Sequence, residues 1–236
     1  FGRTWEIIDF IERCLHGGDE VFDWDGKYYH FRGVRWIMQP VQKRIPILWG
    51  GFGPQSVEKA ANRRYHLIAS DVTGTYERVM RENGDRPEEY LIGFVHIAGI
   101  AGTREEAFEA MAEPCTWNGN QYALRTDLNG YTPPETARKT VADIRRAWEA
   151  GDYRAAFSVP RAGTVEDVTE YFLKVVRGEM GLITHIGLHA REPGMKTEDV
   201  HRTMTLYAQE VLPVLRKEAE RVEKERAQTI AMSDHR

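Results

Sequence analysis

A short apolar segment that ends in glycines has the residues to bind a phosphate group. Residues 45–49 read IPILW, and Gly50, Gly51 and Gly53 follow almost at once, with Ser56 at the start of a segment of helical periodicity. Glycines let a backbone approach a ligand closely, and the first turn of a helix directs unpaired N–H groups and the positive end of its dipole to the same place. The pattern therefore predicts an anion site, with phosphate as the usual ligand.

The same glycines also have a purely structural explanation, in which they only form a tight turn. An isolated G-G-x-G does not separate the two explanations. The surrounding pattern is strand, glycine turn, helix and then a second apolar run at residues 66–69, which is one βαβ unit. Such a unit predicts an α/β protein with a parallel sheet.

Further strands and helices follow in alternation along the chain. Asp25 and Gly26 predict a hairpin within residues 21–31, and Thr164 with Asp167 predicts a capping box. The fold prediction is α/β with parallel strands, about the last four strand-helix units of a (β/α)8 barrel, with an open four-stranded sheet as the alternative. Beyond the first βαβ unit, strands are predicted at residues 89–99 and 182–190, and helices at 4–16, 75–83, 103–113, 135–150, 164–177 and 197–227.

The domain prediction is one domain over residues 1–236. Pro114 is expected to end a helix, so that residues 115–134 form an irregular loop, either a lid that selects the substrate or a mobile connector. Pro213 should kink or restart the last helix. Residues 217–236 read as a charged C-terminal helix and tail, with both signs of charge interspersed as on a solvated face.

Composition excludes several classes of protein. The chain has 236 residues, 42% of them hydrophobic, and a net charge of −4 without a basic block, so neither nucleic acid nor membrane is an expected partner. Two cysteines without metal-ligand spacing predict neither a disulfide framework nor a metal site, and Cys14 is expected to pack in a core. A reducing, cytoplasmic location is the corresponding expectation.

Single polar residues mostly have structural explanations. His96 lies in an apolar run and is expected to be a hydrogen-bonded core histidine, and His185 and His189 would lie about 13 Å apart on one strand, too far to share a metal. Trp49 could line a pocket or simply pack. Asp71 and Arg161 are expected to be solvated loop charges.

Several motifs in a fixed order resemble the bacterial-luciferase-like monooxygenase family. The sequence DGKYY at residues 25–29 resembles the family's G-x-Y-Y insert, and GGFGPQS at 50–56 resembles the loop after its fifth strand. GTVEDV at 163–168 is similar to G-T-P-E-E-V, with Val165 in place of proline, and YAQEVLPVL at 207–215 is similar to F-A-x-E-V-x-P-x-L. The resemblance covers residues 3–217 and lacks the family's first strands.

This resemblance implies a flavin-dependent oxidoreductase with FMN or a deazaflavin and a small organic substrate. Gly50, Gly51, Gly53 and Ser56 would hold the cofactor phosphate, with Ser70 at the end of the next strand on the same face. A separate flavin reductase and a homo-oligomer are the implied partners.

The resemblance assigns no catalytic residue to this chain, because the family's best-known ones lie on the missing strands. Whether the chain alone is an enzyme therefore stays open. The alternatives are a non-catalytic truncated or binding protein built from a partial barrel that self-associates, and a phosphate-binding α/β domain of unrelated chemistry.

Overall fold

A computed structural model describes residues 2–38, 40–51, 53–68, 74–127, 138–152 and 159–233. The chain divides into two compact units, Phe1–Ile47 and Leu48–Arg236, where the sequence leads us to expect one domain. Within the described residues, no helix combines the length and apolarity that a bilayer crossing requires.

The first unit consists of a helix and a hairpin. Helix α1 spans Gly2–His16, and strands β1 (Phe22–Asp25) and β2 (His30–Val34) pair antiparallel, as predicted. The carboxylate of Glu6 accepts hydrogen bonds from the backbone N–H groups of Tyr28 (3.0 Å) and Tyr29 (2.8 Å), which holds the hairpin loop against the helix. Cys14 is buried in the helix face, in agreement with a packing role.

The second unit is built on a parallel sheet. Its described strands are β3 (Leu48–Trp49), β4 (His66–Ile68), β5 (Ile92–Ile100), β6 (Arg161–Gly163) and β7 (His185–His189). Strand β4 pairs with β3 and β5, and β5 pairs in turn with β6 and β7, every pairing being parallel. Because Gly93 pairs with both Ile68 and His185, β4 and β7 lie on opposite edges of β5.

Seven described helices surround the sheet. They are α2 (Pro54–Asn62), α3 (Thr75–Glu82), α4 (Arg104–Asp127), α5 (Val141–Glu149), α6 (Val165–Val176), α7 (Thr197–Leu206) and α8 (Leu212–Ser233). The capping box of Thr164 and Asp167 forms as predicted. A second box, Thr140 with Asp143, starts α5 at Val141, so the helix predicted from residue 135 begins later among the described residues.

The prediction of an irregular loop at residues 115–134 is wrong over residues 115–127, because α4 continues through Pro114. Phe108, Met111 and Cys115 are fully buried on one face of the helix, and this packing outweighs the missing N–H of the proline. The Thr116 hydroxyl also donates a 2.7 Å hydrogen bond to the carbonyl of Ala112 one turn earlier. The remaining residues of that prediction, 128–134, lie outside the described part of the chain.

Pro213 interrupts the helical C-terminal segment, as expected. A π-helical turn, Tyr207–Val211, separates α7 from α8 immediately before the proline. Proline cannot donate a backbone hydrogen bond, and its ring crowds the carbonyl four residues earlier. The helix therefore takes one extra residue per turn at this point, as a π-helical turn does.

Arg161 corrects another expectation, since it is neither a loop residue nor solvated. It lies on β6, a strand that the sequence pattern does not predict, and it is only 5% exposed. Its guanidinium donates a 2.9 Å hydrogen bond to the carbonyl of Val159 and lies 5.2 Å from the centre of the Tyr171 ring. These contacts stabilise the buried cation. A strand of only three residues leaves no clear pattern in the sequence.

The two faces of the sheet have different surroundings. Residues of one face pack under the helices, and Leu67, Ile92 and Ile100 on it are almost fully buried. On the opposite face Leu48 and Val95 are 44% and 47% exposed. Strand alternation and the pairing of Val95 with Gly187 place His185 and His189 on this second face, which we call the open face.

Candidate functional site

The glycine turn leads directly from β3 into the first turn of α2. Gly53 is the N-cap, with φ −76° and ψ 142°, and its carbonyl accepts hydrogen bonds from the N–H groups of Ser56 (2.9 Å) and Val57 (3.0 Å). Pro54 occupies the start of the helix, and no side chain of the described residues caps it. An anion is the chemical group that completes such a helix terminus, because the dipole and the unpaired amides both favour negative charge.

The three glycines differ in how much space a side chain would have at each position. A Cβ on Gly51 would lie 2.3 Å from Nε1 of Trp49 and 2.4 Å from Oγ of Ser56, two atoms that are joined by a 2.8 Å hydrogen bond from the indole. Gly51 is therefore needed for close packing. A Cβ on Gly50 would approach the carbonyl oxygen of Ile68 only to 4.0 Å, and one on Gly53 would have no described atom within 4 Å.

The open space at Gly50 and Gly53 is the observation that fits a ligand. None of the three glycines has the positive φ that would make glycine necessary for the backbone alone. A turn that only changed direction would not need Gly53, whereas a turn that accommodates a phosphate benefits from the missing side chain. The residues present therefore fit the anion site that the sequence predicts.

Trp49 and Ser56 form the wall of this turn. The indole packs against a buried cluster that includes Val57, Leu67 and Tyr76, and its Nε1 donates to the buried Ser56 hydroxyl. Packing is thus one role of Trp49. Gly50, Gly51, Gly53 and Ser56 come together at the carboxyl end of β3, whereas Ser70 and Asp71 lie outside the described residues.

A buried glutamate that the sequence pattern does not indicate, Glu192, lies beside His189 at the carboxyl end of β7. His189 is the last residue of the strand, and its Nδ1 lies 3.5 Å from Oε1 of Glu192, whose side chain is 1% exposed. Burial raises the pKa of Glu192, and the neighbouring His189 and Asn118 partly oppose that rise. Burial, together with the nearby charge of Glu192, also raises the pKa of the Cys115 thiol.

The glycine turn and His189 lie at the same edge of the sheet. Strands β3, β4, β5 and β7 are parallel, so the glycine turn and His189 both follow carboxyl ends. Three strand spacings separate them, or about 14 Å. Ligands of α/β proteins bind at this edge of the sheet.

His96 belongs to the opposite, helix-facing side of the sheet. Its side chain is 1% exposed, and Nδ1 lies within hydrogen-bond distance, 2.9 Å, of the Tyr171 hydroxyl. The expectation of a hydrogen-bonded core histidine is confirmed. Among the residues that the structure describes, no group of three or more His, Cys, Asp or Glu side chains could hold a metal ion.

Solved structures of known proteins share this fold. Monooxygenase RslO1 from Streptomyces bottropensis matches with a TM-score of 0.60 and 22% identity, over 90% of this chain and 60% of that one. The F420-dependent tetrahydromethanopterin reductase from Methanopyrus kandleri matches with a TM-score of 0.58 and 19% identity, over 89% and 62%.

A third match is the oxygenating constituent of 3,6-diketocamphane monooxygenase from Pseudomonas putida, solved in complex with FMN. Its TM-score is 0.57 and its identity 17%, over 90% of this chain and 62% of that one. The present chain thus spans about three fifths of these proteins. The predicted fold, an α/β fold with part of a (β/α)8 barrel, is confirmed.

Sequence comparison assigns the family independently of the fold. A search of curated proteins gives no match. The luciferase-like monooxygenase family matches residues 1–171, which is most of the chain and includes the glycine turn. This chain therefore belongs to the luciferase-like monooxygenase family.

Proposed function

We propose that this chain is part of an oxidoreductase that binds FMN or a deazaflavin and acts on a small organic substrate. The observation that supports this proposal most directly is the glycine turn before α2, where Gly50 and Gly53 leave open space beside an uncapped helix N-terminus. Family membership supports the proposed function, since monooxygenases and F420-dependent enzymes share this fold. One of these structural neighbours holds FMN, and another is F420-dependent, so the choice of flavin stays open.

In this proposal the cofactor phosphate lies against Gly50, Gly51, Gly53, Ser56 and Ser70. The N–H of Gln55 would donate to the phosphate, because Pro54 has no N–H and those of Ser56 and Val57 donate to the Gly53 carbonyl. Trp49 fixes the position of the Ser56 hydroxyl. The exposed apolar residues of the open face would pack against the ring system and keep water away from it. When bound, a flavin supplies the redox chemistry, and the protein supplies binding and orientation.

A negative charge introduced at position 53 tests the phosphate site. An aspartate fits the N-cap conformation and the open space, and its carboxylate would occupy the amides that a phosphate needs. We expect Gly53→Asp to fold with unchanged or slightly higher stability and to weaken FMN binding about tenfold or more by like-charge repulsion. Titration followed by flavin fluorescence measures the dissociation constants.

Two controls isolate the phosphate contribution. Gly53→Asn introduces a neutral side chain of the same shape, so it should weaken FMN binding much less than the aspartate does. Riboflavin lacks the phosphate, and we expect Gly53→Asp to leave its affinity unchanged. Equal losses for FMN and riboflavin, or no saturable FMN binding by the wild-type chain, would contradict the proposal.

We also propose that the chain self-associates. Leu48, Ile68 and Val95 leave apolar surface exposed on the open face, and exposed sheet surface with unpaired edges promotes association. Sedimentation of the isolated chain should give a mass above that of a monomer. A monomer at all concentrations would disprove this statement without affecting the cofactor proposal.

A separate reductase that supplies reduced flavin and a cytoplasmic location complete the proposal. Both come from the family resemblance and from the reduced state expected of two unpaired cysteines. Co-purification of a flavin reductase activity would support the first of these. The alternative of a non-catalytic protein is not favoured, because the family and its structural neighbours are oxidoreductases.

A further inference from the structure

We propose that Glu192 is a positioning residue that holds the imidazole of His189 through Nδ1 and directs Nε2 to the open face, where it exchanges a proton with a bound substrate. The exchange with substrate rests on the proposed function, whereas the pairing of the two side chains does not. Distance, burial and strand register support the pairing.

His189 is placed where a ligand can reach it. It ends β7 opposite Ile97 of β5, and alternation along the strand puts it on the open face with His185 and Gly187. Its side chain is 46% exposed. A partly exposed residue at the carboxyl end of a parallel strand, at the same sheet edge as the glycine turn, is positioned to touch a ligand bound at that edge.

Glu192 is buried under this histidine. Its backbone is fixed by a short turn, in which its N–H donates to Sδ of Met195 (3.2 Å) and its carbonyl accepts from the N–H of Met195 (3.2 Å). Within the described residues, neither carboxylate oxygen makes a hydrogen bond of ordinary geometry. A buried carboxyl without such bonds is costly, so a partner that can share a proton with it is expected.

His189 is the partner that the structure offers. Its Nδ1 is 3.5 Å from Oε1, slightly longer than a hydrogen bond, and a small rotation of either side chain would close the gap. The other groups that influence the carboxyl come from α4 and are Cys115, a neutral buried thiol, and Asn118, an amide. Among these described neighbours only the imidazole can become a cation.

A proton can pass between the two side chains of the pair without a change in their total charge. A protonated carboxyl beside a neutral imidazole holds as many protons as a carboxylate beside an imidazolium. When a bound molecule gives a proton to Nε2 of the neutral ring, the proton on Nδ1 passes to the Glu192 carboxylate, so that the pair gains one proton and loses its negative charge. The reverse path returns the proton to the bound molecule. Burial raises the pKa of Glu192 and so makes this carboxylate a better proton acceptor than an exposed one.

Nitrogen NMR of the imidazoles in the full chain tests the pairing. A histidine held through Nδ1 populates one tautomer, which separates its two ring-nitrogen resonances, whereas a freely hydrated ring averages two tautomers. We expect Glu192→Gln to change the ring-nitrogen resonances of His189 and to leave those of His185 unchanged. His185 is the matched control, because it lies on the same strand and face about 13 Å away.

A second variant guards against misfolding. Glu192→Met replaces the buried carboxyl with an apolar side chain of similar size and should fold at least as stably, because no polar group is left buried. We expect it to release His189 in the same way as the glutamine. Unchanged His189 resonances in both variants would overturn the pairing and leave Glu192 as a buried carboxyl only.

FMN addition separates this inference from the proposed function. We expect saturating FMN to shift the ring resonances of His189 more than those of His185. If FMN binds and His189 does not respond, the ligand site does not reach His189, which overturns the proton exchange while the pairing stands. If FMN does not bind, the proposed function fails, and the comparison of the variants still decides the pairing.

Discussion

Lowering the pH from 6.5 towards 3 should destabilise the folded chain steeply, and His96→Gln should remove a large part of that dependence. Burial, aided by the positive charge of Arg161, lowers the pKa of His96 from 6.5 to about 3. The ring is enclosed by Tyr171 and Phe172, whose centroids lie 5.4 and 5.1 Å away. A proton on this ring would place a cation in an apolar site beside another cation, so the folded state excludes it.

The direction follows from which state binds the proton first. The unfolded chain takes up a proton on His96 near pH 6.5, whereas the folded chain does so only near pH 3. The stability from a neutral His96 is therefore fully present above pH 6.5 and is lost as the pH falls through the folded-state value. Each pH unit in this window costs about 1.4 kcal/mol, and the whole window costs about 5 kcal/mol.

Urea unfolding at several pH values between 7 and 4 measures this effect. The wild type and His96→Gln share the protonation of their carboxylates, so the difference in slope between them isolates the histidine. His201→Gln, at an exposed position on α7, is the control for the exchange of histidine for glutamine. Parallel curves for the wild type and His96→Gln would show that the buried ring is not excluded from protonation.

Phe108→Ala should lower the free energy of unfolding by about 3–5 kcal/mol, because it removes the ring that anchors α4. The side chain is 0% exposed, stacks on Trp148 of α5 at 4.5 Å, and lies 4.5 Å from the guanidinium of Arg145. It belongs to a buried cluster that also contains Met111 and Ile144. Truncation leaves a cavity between α4 and α5 that the rigid neighbours cannot fill.

Denaturant unfolding and helical circular dichroism measure the consequence. The matched control is Trp117→Ala on the same helix, because Trp117 is 53% exposed and its loss should cost about 0.5 kcal/mol or less. If α4 persists because of its buried face, the Phe108 variant should also lose helical signal before global unfolding. A loss below about 1 kcal/mol for Phe108→Ala would show that this face does not anchor the helix.

The sequence by itself determined the features that depend on neighbouring residues. The Asp25-Gly26 hairpin, the Thr164 capping box and the change of helix at Pro213 are set by residues within a few positions of one another. The apolar run, glycine turn and helix at residues 45–62 are of the same kind, and they also led to the family. Hydrogen-bonding and steric preferences act over such short distances, so the residue pattern alone was sufficient to predict these elements.

Only the tertiary structure decided which polar residues are buried and what they face. Helix α4 passes through Pro114 because α5 and the sheet cover its apolar face, which no local signal indicates. Arg161 became a buried strand residue, and Glu192 came to lie beneath His189 next to α4. Burial and charge pairing depend on segments far apart in the chain. For that reason the glycine turn before α2 was readable from the sequence, whereas the burial of Glu192 beside His189 at the same sheet edge was not.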